Sequence, residues 1–166
     1  LDKVGSGRFR YSGLPTYSRD ERESRYVECV PGGCVVYRRQ VFDQFRYDET
    51  FFYPPLDDMD ISKWLLDGGH KVYYQASACV LHKKSPSGRP SRYNLYRVWV
   101  THYNYLFRKH WPQTALRKLA FWWSVAGMLV LNASWPEQFR GILSGIANIQ
   151  ASKTPLDAMN NLLPKT

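Results

Sequence analysis

The chain has 166 residues, 44% of them apolar and 16% aromatic, and a formal net charge of +9 at pH 7. That apolar share excludes a disordered tail and suits one globular unit with a core of its own. The longest apolar run, LAFWWSVAGMLVL at 119–131, is shorter than the roughly 18 residues a bilayer-crossing helix needs, which excludes a span and leaves only surface attachment.

In chain order, residues 1–24 mix glycine, serine, proline and charge without a period and are expected to be loop; Gly5 and Gly7 alone make no nucleotide fingerprint. RYVECV (25–30) and GCVVYRR (33–39) are short and β-branched around Pro31-Gly32-Gly33, which predicts two strands with glycines at the bend. RQVFDQF (39–45) suits a short helix, and 46–55 an irregular aromatic segment. DMDISKWLLDGG (58–69) puts Ile61, Leu65 and either Met59 or Leu66 at helical spacing, and Gly68-Gly69 supplies its stop. HKVYYQ (70–75) and ACVLH (78–82) follow as short strands, and KKSPSGRPSR (83–92) as a basic loop.

Residues 91–111 predict a long helix stopped by Pro112, with Tyr96, Val100, Tyr103 and Phe107 along one face. Two more helices are expected at 114–133 and 134–150, the second with Ser134 and Glu137 as a capping box and Pro136 in its first turn. The result is a small α/β part, 1–111, and a helical tail, 112–166. Cys29, Cys34 and Cys79 all lie in apolar runs. They are expected to be small core residues in a reducing, cytoplasmic setting. Asn132-Ala133-Ser134 matches a glycosylation triplet, which carries no weight alone.

Asp57, Asp58 and Asp60 crowd the start of the 58–69 helix, after the aromatic and proline-rich FFYPPL. The positive end of a helix lowers the cost of gathering carboxylates, and plain capping is one reading. Apolar neighbours favour a second, in which the carboxylates line a cleft where burial and mutual repulsion raise a pKa toward a general base's range. A third is a metal site with His82 as nitrogen ligand. Residues two apart on a helix point about 200° apart, so Asp58 and Asp60 do not easily share one ion.

Five blocks in order carry a resemblance: GGCVVYRRQVF (32–42), YDETFF (47–52), DDMDI (57–61), GGHKVYY (68–74) and ACVLH (78–82). Over 32–111 the chain resembles the acceptor-side half of family 2 glycosyltransferases of the GT-A fold, in particular the rhamnosyl- and galactofuranosyl-transferase-like group that builds cell-envelope polysaccharide. The fold class so implied is α/β, the C-terminal portion of a Rossmann-like GT-A domain with a few short strands and a helical tail. The resemblance implies inverting transfer from a nucleotide-sugar donor to a glycan or lipid-linked acceptor. Asp58 would be the general base, Asp60 a buried acceptor fixing the helix start, and His82 a ligand to Mg²⁺ or Mn²⁺ at the donor diphosphate. Asp57 stands where glutamate is more usual, and Trp64 and Tyr103 where arginine is common. Lys83, Lys84 and Arg89 are expected to take the diphosphate instead. No apolar strand leads into Asp58-Met59-Asp60, so this pair is not the family's upstream Asp-x-Asp motif. That absence, with Leu1 in place of Met, leads us to expect a piece of a longer enzyme whose donor-binding half lies upstream.

Gly32 and Gly33 let the backbone approach a sugar, Tyr53 and Trp64 offer stacking faces, and with Asp57 they form the expected acceptor-binding set; a plain turn and core packing are the competing readings. His70, His102 and His110 show no partner pattern, and surface or helix-end positions suffice for them. The basic stretches at 83–97 and 108–118, beside the apolar run, suit contact with anionic lipid at the inner face of the plasma membrane, and ordinary helix packing is the rival. The alternative function is a non-catalytic basic module binding glycan, anionic membrane or nucleic acid. Nucleic acid is not expected, because the aspartates repel phosphate and no known motif is present. A glycosidase needs two opposed carboxyl groups, which adjacent Asp57 and Asp58 do not suggest.

Overall fold

The computed structural model of the chain describes residues 7–16, 22–51, 55–81, 83 and 90–151. Over these residues the fold is mixed α/β and mostly helical, with five α-helices and two antiparallel two-stranded sheets. The chain enters through a hairpin, β1 (Arg8–Phe9) against β2 (Pro15–Thr16), where loop was expected. Its turn needs Gly13, which has φ +78°, and a Cβ there would stand 3.2 Å from the Trp111 ring.

β3 (Arg25–Val27) pairs with β4 (Val72–Tyr74), and the facing Tyr26 and Tyr73 rings meet edge to face at 5.1 Å. The strands expected at 33–39 and 78–82 do not form: 34–38 and 78–81 have no regular structure, and Val36 is 95% exposed. Their β-branched residues favour a strand only where a ladder partner and a face to cover exist, and the short β3–β4 pair offers neither.

α1 (Val41–Gln44) and a 3₁₀ turn (Glu49–Phe51) lead toward α2 (Asp57–Asp67), which ends at Gly68 with Gly69 left-handed at φ +73°. α3 (Arg92–His110) is capped by Ser91, whose Oγ accepts from the Asn94 amide at 3.2 Å. α4 (Ala115–Leu131) is capped by Thr114, and α5 (Pro136–Gln150) begins with proline in its first turn. The Ser134–Glu137 box does not form. The Trp135 amide closes a turn on Asn132 O at 3.0 Å, which puts Trp135 at the cap position and Ser134 outside it.

α3 is the axis of the fold. Its Tyr103, Leu106 and Phe107 pack with Met59 of α2, Phe121 of α4 and Ile142 of α5, so the main core draws on both sides of residue 111. α5 lies close along α3 because Gly141 and Gly145 face it: a Cβ at Gly145 would stand 2.8 Å from Val100 Cβ, and one at Gly141 would strike Tyr93 O. The hairpin is tied across α3 and α4, with Tyr103 Oη donating to Ser12 O at 2.7 Å, Ser124 Oγ to Ser12 Oγ at 2.9 Å and Arg117 to Tyr11 O at 2.7 Å. A second cluster joins Phe45, Ile61 and Leu65 with Trp64 and Val72. Of the three cysteines only Cys29 is a core residue; Cys34 and Cys79 are exposed, in segments that are not strands. Among the described residues no helix is long and apolar enough to cross a membrane.

Candidate functional site

The acidic cluster sits where the chain turns into α2, and the turn is strained. Leu56, just before the helix, has φ +90°, the one left-handed non-glycine backbone among the described residues. Such a conformation costs of order 1–3 kcal/mol and persists only where its surroundings hold it. Two contacts do so. The Leu56 side chain is buried in the main core, and Pro55 O accepts a 2.8 Å hydrogen bond from His102 Nδ1 in the middle of α3. That bond fixes the proton on Nδ1. His102 is fully buried against Phe51, its Nε2 has no partner, and burial holds its pKa below the ordinary histidine value.

Asp58 occupies the second position of α2 and is partly buried. Its Oδ2 accepts from the Gly32 amide at 2.7 Å, and its backbone carbonyl accepts from Ser62 Oγ at 2.7 Å. The glycine loop is thereby laid against the helix start. Gly32 has to be small there, since an added Cβ would lie 3.0 Å from Asp58 Cβ, whereas Gly33 faces open space. Burial, with the charge of Asp57 added, raises the Asp58 pKa above the usual carboxylate value against the lowering effect of the Gly32 bond. The backbone amides of Met59 and of Asp58 itself add to the Gly32 bond, and together they leave part of the carboxylate's accepting capacity unused.

Two side chains that the sequence did not single out lie within electrostatic reach of this carboxylate. Burial pushes the Tyr37 hydroxyl up to about 12 and raises Tyr47, and in both the nearby charges of Asp57 and Asp58 add to the effect. Tyr37 packs edge to face on Phe42, and Phe45 carries the aromatic row from Tyr47 on to Trp64. Spacing could not have shown this, because the row is assembled from irregular chain on either side of the single-turn helix α1 and from Trp64 of α2. Trp64 belongs mainly to that packing, with its other face stacked on exposed His70 at 5.8 Å.

Asp60 has a separate role. It is 1% exposed and faces the last turn of α3, where His110 Nε2 donates to Oδ1 at 2.6 Å and Lys109 Nζ to Oδ2 at 2.9 Å. Lys109 also reaches Asp48 Oδ2 at 2.8 Å, and Tyr105 Oη donates to the same oxygen. Burial opposes the charge of Asp48, but the hydrogen bonds from Lys109, Thr50 and Tyr105 outweigh it and hold the carboxyl well below its ordinary range. The arrangement sets an anion at the positive end of α2 and cations at the negative end of α3. Asp60 is therefore the buried acceptor expected of it. His102 is not the surface or helix-end group expected: it lies in the middle of α3 on the inward stripe shared with Tyr103 and Leu106, whereas His110 is the last residue of the helix, with its ring turned to Asp60.

Asp57, Asp58, Gly32 and Gly33 come together, while Lys83 is exposed. The roles expected of Tyr53, His82, Lys84 and Arg89 fall on positions outside the described residues. Among the described residues no group of three or more histidine, cysteine, aspartate or glutamate side chains is placed to hold a metal ion. No protein-family model, curated protein or solved structure matches the chain.

Proposed function

We propose that the chain is the acceptor-side part of an inverting glycosyltransferase of GT-A type, moving a sugar from a nucleotide-sugar donor to a glycan or lipid-linked acceptor. The observation that carries the reading is Asp58: a partly buried carboxylate of raised pKa at a helix start, held by a glycine-loop amide and within electrostatic reach of Tyr37 and Tyr47. The order and spacing of the five sequence blocks support it independently. In this reading the acceptor hydroxyl gives its proton to Asp58 as its oxygen bonds to the anomeric carbon and the bond to the diphosphate breaks. The raised pKa brings the carboxylate nearer the basicity such a transfer needs. Gly32 fixes the carboxylate's direction, and Tyr37 and Tyr47 offer an aromatic face and hydroxyls to the acceptor.

Mg²⁺ or Mn²⁺ would neutralise the departing diphosphate. The described residues do not fit that ion by themselves, because Asp60 is committed to Lys109 and His110 and points away from Asp58. Proton transfer at Asp58 does not depend on it. The test compares the full-length polypeptide carrying this chain with its Asp58→Asn variant, using a panel of nucleotide sugars. Turnover is expected to fall by about 10²–10⁴ with donor binding kept. Unchanged turnover would remove Asp58 from the reaction.

A further inference from the structure

α4 leaves most of its apolar surface facing outward. Ser124, the single polar residue of 119–131, donates to Ser12 Oγ at 2.9 Å on the protein side. Phe121 and Val125 fill the core on that same side. The opposite stripe is left uncovered, with Leu119 67%, Trp123 80%, Val130 75% and Leu131 81% exposed. These positions recur at helical spacing, so they form one continuous apolar face along the helix. Trp135 extends it at the turn into α5. A contiguous apolar face of this length marks a surface that something covers.

Charge indicates what covers it. Lys118 is exposed in the second turn of α4 and Arg108 in the last turn of α3, three positions before Trp111 and the short connection between the two helices. From 91 to 150 the chain carries seven arginines and lysines, at 92, 97, 108, 109, 117, 118 and 140, against one acidic residue, Glu137. Tryptophan on an apolar stripe with cations at its end matches the boundary of an anionic bilayer, where indoles sit at headgroup depth and cations meet lipid phosphate. A second copy of the chain would instead bring like charges toward each other. At 17 residues α4 is about 25 Å long, which suits lying in the membrane plane and not crossing it.

We propose that the outward face of α4 seats the chain on an anionic lipid surface, with Trp123 and Val130 in the acyl boundary and Lys118 and Arg108 on the headgroups. This inference stands on the helix alone and does not rest on the sugar-transfer reading. The experiment floats the chain with vesicles of phosphatidylcholine, with and without phosphatidylglycerol, and follows tryptophan emission with brominated lipid present. Binding is expected only with the anionic lipid, weakening with salt, together with a blue shift and quenching. Trp123→Ser/Val130→Ser, which touches no core contact and is checked by circular dichroism, is expected to abolish binding. Arg108→Glu/Lys118→Glu is expected to weaken it at least about tenfold. Failure to float, equal binding to neutral vesicles, or a solution dimer that Trp123→Ser/Val130→Ser dissociates would each overturn the proposal, the last by assigning the face to a second copy.

Discussion

Replacing Asp60 with asparagine keeps its shape and removes its charge, and the structure sets the size of the effect. Asp60 receives two charge-assisted hydrogen bonds, from Lys109 and His110, and is 1% exposed. Such bonds contribute about 1.5–3 kcal/mol each, and removing one partner of a buried ion pair costs about 3–5 kcal/mol. Two features reduce this. Lys109 keeps Asp48 at 2.8 Å with a third of its side chain in solvent, and the asparagine oxygen still accepts one bond. The expected loss is therefore about 2–3 kcal/mol, which for a chain of this size lowers Tm by roughly 5–10 °C. Urea unfolding followed by far-ultraviolet circular dichroism measures it. Amide exchange should localise the loosening to the first turn of α2 and the last of α3. A double-mutant cycle with Lys109→Met should give a coupling of about 1–3 kcal/mol. A change below about 0.5 kcal/mol, the size of a neutral surface substitution, would refute the claim that this network holds the α2 start.

Asp58 should titrate above an ordinary aspartate by carboxyl carbon NMR, and Asp57→Asn should bring it down by removing the repelling charge. A raised folded-state pKa gives stability that is present below the unfolded value and lost as pH rises through the folded one. Asp58→Asn should therefore gain stability relative to wild type on going from pH 3 to pH 7, and a flat difference would contradict the burial argument. His102 has the opposite sign: its folded pKa is depressed, so its contribution is present above about 6.5 and lost as pH falls through the folded value. His102→Gln should flatten the decline in unfolding free energy below pH 6.5, and an unchanged slope would place the acid sensitivity elsewhere. Gly→Ala should change sign with position. Gly145→Ala forces α5 off α3 and should cost about 1–3 kcal/mol, while Gly127→Ala, on an open helical surface, should gain up to about 1 kcal/mol in the same thermal melt.

The helices were legible in the sequence because each carries its own signal: Gly68-Gly69 as a stop, Pro112 after α3, Pro136 in the first turn of α5, and apolar residues every three or four positions. The strands were legible only where a partner exists. RYVECV found β4, while GCVVYRR, of equal β-propensity, found none and left Val36 in solvent. Of the site, the local part was readable. Asp58 at a helix start needs only chain proximity and helix geometry, whereas the Gly32 amide that holds it comes from 26 residues upstream and the buried role of Asp60 rested on the family resemblance. Its partners could not be read. Lys109 and His110 lie about fifty residues on, at a helix end where basic residues are ordinary.

The same limit explains why His102 was overlooked and why it matters. Nothing in VWVTHYNYL separates a histidine that merely fills the α3 stripe from one that reaches another segment. The distinction lies in Pro55, whose carbonyl faces inward because the backbone turns through the left-handed Leu56. Strain at Leu56, the His102 bond and the start of α2 are one arrangement: the bond holds the turn, and the turn sets where Asp58 emerges. The Asp58 carboxylate thus owes its position to a residue 44 places away that does not touch it.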